Sequence, residues 1–222
     1  FLFLGKEYNY QETLTLENQP DEDLQVRNFR GRIVITGTDT QEIQVNLKKY
    51  IIHRNKDEAD RIEAGTPIRT DRVKDSLILQ MDRDTSRKRR IRTDWEILVP
   101  HGKDVIIHNS YGSVKLSSLG KTDVMNHYGG ISAEDIEGLL NIDGSYGNIA
   151  IQRVSGSCFI NSRHASVKLE NIQGNVQIRH SYGTIRMKKI SRDVTLEGSH
   201  SEVKAEAVKG TLYLETSYRN IA

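Results

Sequence analysis

The amino-acid sequence predicts an all-β chain whose second half is a right-handed parallel β-solenoid with 18-residue coils. Three observations predict it. A tyrosine or histidine followed by a short strand recurs at almost constant spacing through that half. Each recurring unit divides into two similar halves of about nine residues. Within each half, apolar and polar residues alternate over runs too short to bury their apolar face unless neighbouring units stack on it.

The first hundred residues lack the repeat but read as β-rich. Leu24-Gln25-Val26, Ile33-Val34-Ile35 and Ile43-Gln44-Val45-Asn46-Leu47 alternate as strands do, with Gly31 and Gly37 marking turns. Residues 56–64 are the one helix-like stretch, with Ala59 and Ile62 on one face and Pro67 beyond its end. Leu77-Ile78-Leu79 and Trp95-Glu96-Ile97-Leu98-Val99 read as two further strands, separated by a charged loop over 82–93. Pro100-His101-Gly102 is a turn into the first coil. The expected organisation is a capping region over 1–100 and a solenoid over 101–222, joined as one continuous body.

The repeat opens with Ser110-Tyr111-Gly112-Ser113-Val114-Lys115-Leu116, and the next copy is His127-Tyr128-Gly129-Gly130-Ile131-Ser132-Ala133. Tyr146, His164, Tyr182, His200 and Tyr218 head the copies that follow. The first step is 17 residues and each later one is 18. In the unit from Tyr146 the inward positions are Ile149, Ile151, Val154, Cys158 and Ile160, which lie 3, 5, 8, 12 and 14 residues on. That spacing excludes a left-handed hexapeptide helix, which needs an aliphatic at every sixth position. No unit carries the G-G-x-G-x-D pattern of a calcium-binding β-roll. Leucine-rich repeats need a longer unit.

Gly31-Arg32-Ile33-Val34-Ile35-Thr36-Gly37, then Trp95-Glu96-Ile97-Leu98-Val99-Pro100, then coils of the form G-x-[IV]-x-[IL], together resemble the bacterial family catalogued as putative adhesins, or DUF4097. The resemblance runs from about residue 24 to the end. It implies a β-solenoid and association with the cell envelope, and it brings no catalytic residues. His164-Ala165, His200-Ser201 and Tyr218-Arg219 stand where the pattern carries a glycine second.

Composition narrows the function classes. Hydrophobic residues make up 36% and charged residues 28%, the balance of a folded domain. Net charge is only +2, from 32 basic and 30 acidic side chains, which argues against a dedicated nucleic-acid binder. A single cysteine, Cys158, excludes an internal disulfide framework and a cysteine-based zinc cage. No run reaches the roughly 18 apolar residues of a transmembrane helix. Phe1-Leu2-Phe3-Leu4-Gly5 reads as the remnant of a signal peptide or as an apolar first strand, and with no initial Met an exported, trimmed form is expected.

Three groups of side chains are candidate binding features. Tyr111, Tyr128, Tyr146, His164, Tyr182, His200 and Tyr218 should stack as a ladder, either stabilising a corner or offering a platform to a sugar or protein. Lys168, Arg186 and Lys204 should form an outward basic strip. Arg87, Lys88, Arg89, Arg90 and Arg92 are the densest charge and would suit an anionic surface, though Asp82, Asp84 and Asp94 flank them. Enzyme signals are poor. Glycoside chemistry needs two carboxylates about 5–9.5 Å apart, whereas Asp123 is followed by Asn141 and Asp143 by Asn161 at equivalent positions. Glu197 and Glu215 do stack, near the chain end. The His residues show no metal-binding spacing, and no cofactor is expected.

The reading is therefore a non-enzymatic cell-envelope or surface protein, adhesin-like, that binds a glycan or an envelope protein through a rigid solenoid surface. A carbohydrate-active enzyme on a β-helix and an envelope-stress regulatory module are the alternatives. Tyr218 to Ala222 opens a seventh coil, so either further residues or end-to-end or edge pairing with another copy is expected to cover that edge.

Overall fold

The computed structural model describes residues 5–81 and 91–217. It is nearly all β, with 73% of the described residues in strands, arranged as a solenoid of about six turns. The coils follow the sequence period. Strands β8 (Val105–Tyr111), β10 (Thr122–Tyr128) and β12 (Leu140–Tyr146) stack in parallel register as the first side of successive coils. Strands β9 (Val114–Leu119), β11 (Ile131–Ile136) and β13 (Ile149–Val154) stack as the second side. Register advances by 17 residues between the first two of these coils (Val105↔Thr122) and by 18 thereafter (Thr122↔Leu140).

The inward positions are those read from the spacing. Ile149, Ile151, Val154, Cys158 and Ile160 are all at most 3% exposed, and burying each aliphatic side chain contributes about 1.5–3 kcal/mol. Burial also pushes the Cys158 thiol up to about 12, which keeps it an unreactive apolar filler. Alternation fails once per coil, between positions 5 and 8. There a residue takes the left-handed conformation, adding one outward residue before the chain turns in again. Arg153 (φ 53°) is that residue in the coil just described, and Val154 follows it into the core.

The later coils differ from the expectation of two separate strands per unit. From β14 (Cys158–Ile172) through β15 (Val176–Ile190) and β16 (Val194–Val208), each coil runs as one 15-residue strand through its aromatic corner, and β17 (Leu212–Ser217) pairs last. The cause lies in the corner residue. In earlier coils the glycine after the aromatic makes the turn, at φ 127° for Gly112 and 132° for Gly147. In the later ones the aromatic itself takes the left-handed conformation, at His164 (φ 50°), Tyr182 (φ 61°) and His200 (φ 53°). After His164 and His200 the chain needs no glycine, and Ala165 and Ser201 bury their side chains, whereas Gly183 still follows Tyr182 at φ 156°.

Regular stacking reaches further back than the repeat. Strands β2 (Asp23–Arg27) and β3 (Ile33–Thr38) form a full coil lying in parallel against β8 and β9. On its other side the same coil pairs with β6 (Ser76–Met81) and β7 (Ile91–Pro100). An early segment is thus sandwiched between two later layers. Beyond them, β4 (Glu42–His53) lies antiparallel between β7 and β1 (Lys6–Glu17), and β5 (Ile68–Val73) closes a hairpin with β6.

Helix α1 (Lys56–Ala64) packs Ala59 and Ile62 onto this end, capped by the Asn55 side chain accepting from the Asp57 amide. Strand β1 was not legible beforehand, because Glu12 interrupts the apolar positions Tyr8, Tyr10, Leu14 and Leu16. Glu12 faces inward to meet Lys49, which is 1% exposed and held at 2.7 Å by Glu12 and 3.1 Å by Glu63. Among the described residues, no helix is long and apolar enough to cross a membrane. Residues 1–4, where a leader remnant or first strand was expected, lie outside the described residues.

Gly31 shows how closely the layers approach. Its φ of 129° is one that only glycine adopts readily, and an added Cβ would lie 1.9 Å from the Thr93 carbonyl oxygen of the layer below. Gly31→Ala is therefore expected to cost more than about 3 kcal/mol in urea unfolding, since backbone strain alone is worth about 1–3 kcal/mol. Gly102→Ala is the control, because its added Cβ would come no nearer than 3.3 Å to the Glu137 carboxylate. Equal losses for the two would refute the intercalated coil.

Candidate functional site

The aromatic column forms as the spacing requires. From Tyr111 through Tyr128, Tyr146, His164 and Tyr182 to His200, successive ring centroids are 4.7–5.1 Å apart and the planes within 15° of parallel. Phe29 closes the first end edge-on, 5.4 Å from Tyr111. Tyr218 lies outside the described residues. The four described tyrosines of the column are 43–48% exposed. Each interior ring lies between the faces of its neighbours, so the solvent meets ring edges, hydroxyls and imidazole nitrogens. A sugar stacks on a ring face, and these faces are occupied.

Two residues before the aromatic lies an inward column that the motif reading missed. Asn109 and Asn126 are buried, and their amides donate to the corner carbonyls of Gly112 and Gly129 at 3.3 and 3.1 Å. Asn126 also bonds the Gly112 carbonyl of the preceding coil, at 3.0 Å. The signal was present as Asn-x-Tyr-Gly in both copies, one residue upstream of where the repeat was aligned. Further along, this column holds Ser162 and His180, with Ser162 Oγ 2.7 Å from His180 Nδ1. His180 is 2% exposed, and burial draws its pKa below the usual imidazole value, aided by the nearby His164.

The charged candidates are largely occupied by near neighbours. Lys168, Arg186 and Lys204 do stand in register on adjacent coils. Lys168 is 3.6 Å from Glu170, Lys204 is 3.3 Å from Glu202, and Arg186 donates to the Thr184 hydroxyl at 3.4 Å. Of the arginine-rich loop, residues 87–90 lie outside the described residues. Arg92 lies 3.9 Å over the Tyr50 ring and 3.9 Å from Asp94. Glu197 does neighbour Glu215 in register, but Arg179 holds it at 3.2 Å. Asp143 meets Asn161, whose amide donates to it at 3.5 Å. Among the described residues, no group of three His, Cys, Asp or Glu side chains gathers as a metal cage would require.

A groove of about 670 Å³ runs along the other corner, which the sequence reading did not single out. Its floor follows the left-handed residues Ser118, Asp135, Arg153, Asn171, Lys189 and Ala207, one per coil. Its wall follows Glu137, Ser155, Gln173, Ser191 and Lys209. Arg153 binds Asp135 at 2.6 Å and also Glu134, and this guanidinium holds the Asp135 carboxyl below the usual range. Toward the far end, Lys189 and Lys209 have no ion-pair partner among the described residues. Six coils at about 4.8 Å per step make the groove roughly 24 Å long.

No family model matches the chain, and no curated protein matches it. Solved structures do resemble it. A "putative adhesin" from Bacteroides fragilis aligns over 94% of this chain and 97% of its own, with 12% identity and a TM-score of 0.48. A "putative cell adhesion protein" from Clostridium sporogenes aligns over 95% of this chain and 100% of its own, with 13% identity and a TM-score of 0.34. A "putative adhesin" from Parabacteroides merdae aligns over 95% and 96%, with 11% identity and a TM-score of 0.35.

Two outcomes follow from this geometry. Tyr146→Ala removes two stacked contacts and is expected to cost about 1–3 kcal/mol in chemical unfolding; a change near zero would mean that the ladder contributes nothing to the rod. His180 titrates at its ordinary value, near 6.5, only when the chain unfolds. As pH falls below that value, the unfolded chain takes up a proton that the folded one refuses, so stability is full above about pH 6.5 and declines toward the lower folded value. His180→Asn, which imports the residue found at Asn109 and Asn126, should lose less stability than the parent between pH 7 and 5. Parallel pH profiles would show that His180 is not the group responsible.

Proposed function

We propose that the chain is a non-enzymatic, adhesin-like protein of the cell envelope or surface, and that it holds an extended partner, a glycan chain, along its outer surface. On the motifs that carry the resemblance, we place it with the DUF4097-type solenoids. The observation that carries the reading is the corner groove. Six coils in register line it with hydroxyls, amides and charges of both signs, and it runs parallel to the rod. A polymer repeating every few ångströms meets comparable groups at each coil, so weak contacts add along its length. The aromatic ladder then serves as a spine that keeps the groove straight.

The test is glycan-array binding run beside a reducing-sugar release assay. Binding without release is expected. Ser191→Trp, which fills the groove from an exposed position, should weaken binding about tenfold or more, while Tyr146→Ala at a temperature where it stays folded should leave it unchanged. Sugar release would make the chain an enzyme and overturn the reading. Binding indifferent to Ser191→Trp would remove the groove from it.

A further inference from the structure

The outward side of the first strand in each coil carries a smaller depression of about 260 Å³, away from both the groove and the ladder. Register assembles it. Asp123, Asn141, Phe159 and Gln177 stand in one row on consecutive coils. Asp143, Asn161 and Arg179 stand in the row two residues further along the strands. Neighbours in a row lie roughly 5 Å apart and adjacent rows roughly 7 Å apart. One aromatic ring is therefore ringed by carboxylate, amide and guanidinium groups within side-chain reach.

Phe159 is 42% exposed, and in contrast to the tyrosine ladder no ring stacks on it among the described residues. A lone ring within a polar rim is poor material for a protein interface, whose centre is a contiguous patch depleted of charge. It suits a pyranose. That molecule has an apolar C–H face to lay on an aromatic ring, and a rim of hydroxyls that each donate and accept. The rim here supplies both roles, since Asp123 and Asp143 accept, Arg179 donates, and Asn141, Asn161 and Gln177 do either. Two of these groups are already oriented, Asn161 toward Asp143 at 3.5 Å and Arg179 by Glu197 at 3.2 Å. With Arg179 so neutralised, Asp123 and Asp143 leave the site negative, which disfavours a uronic acid or sulfated sugar.

We infer that Phe159 is the floor of a subsite for one ring of a neutral glycan, with Asn141, Asp143, Asn161 and Gln177 as its hydrogen-bonding rim. The subsite goes beyond the groove reading and stands on a different face of the rod. It is tested by calorimetric titration of the full chain with neutral tetrasaccharides of glucose, galactose, mannose and N-acetylglucosamine, and with a tetrasaccharide of galacturonate. At least one neutral oligosaccharide is expected to bind. Phe159→Ala should weaken that binding about tenfold or more, Phe159→Trp should retain or tighten it, and Asn141→Ala should weaken it severalfold. Phe159→Leu keeps apolar bulk without the ring and should lose binding as Phe159→Ala does, which guards against loss through misfolding.

In the Ser191→Trp background, where the corner groove is filled, the saccharide binding that remains should still be lost on Phe159→Ala. If no neutral saccharide binds, if galacturonate binds best, or if the surface takes only a protein, the inference falls. If Ser191→Trp abolishes saccharide binding and Phe159→Ala does not, the sugar lies in the corner groove; the subsite is then refuted and the proposed function stands.

Discussion

The structure depends on one constraint, that the main chain must return to the same place one strand spacing along the rod after every circuit. Parallel hydrogen bonding enforces it on the straight sides, but the corners decide whether it can be met. At the aromatic corner, successive backbones approach so closely that an added Cβ on Gly129 would lie 2.1 Å from the Gly112 carbonyl oxygen. Glycine is one solution. A left-handed aromatic is the other, at about 1–2 kcal/mol per residue, and it lets Ala165 and Ser201 turn inward. The ring ladder follows from either solution, because both set the aromatic at the same point of each coil. Stacking at 4.7–5.1 Å is the coil spacing made visible in side chains.

Most of the rod was legible because its inward positions are apolar at fixed offsets, and Ile149, Ile151 and Val154 sit where the spacing put them. What escaped the sequence did so for identifiable reasons. The coil of β2 and β3 has the right local pattern, with Arg30-Gly31-Arg32-Ile33 aligning on Tyr111-Gly112-Ser113-Val114. It stacks on a segment some eighty residues later, and a search for constant spacing cannot register that. Strand β1 was hidden by an inward carboxylate whose partner, Lys49, comes from another strand. Neither residue alone betrays the pair.

The functional surface was less legible than the fold, and the left-handed column explains why. Ser118, Asp135, Arg153, Asn171, Lys189 and Ala207 share a conformation but no chemistry, so nothing in their identities announces a common corner or the groove beneath it. The tyrosines announced themselves by recurrence, and recurrence in a stacked structure marks what the scaffold requires. A lone Phe159 in a polar row carries no periodic signal at all. In such rods, the residues that break a column are better guides to recognition than those that complete it.

The coil clasped between two later layers gives the molecule a direction. Residues 23–38 gain both neighbours only after β6 and β7 and then β8 and β9 have been laid against them, so the first coil cannot be finished until the chain has run to about residue 119. The repeats beyond it need only the coil before them. A pull on the far end can therefore peel off coils one at a time, whereas a pull on the near end frees β1, which pairs only with β4 among the described residues, and then meets β2 and β3 held between two layers. The rod frays coil by coil from one tip, while unravelling from the other stops at the clasped coil.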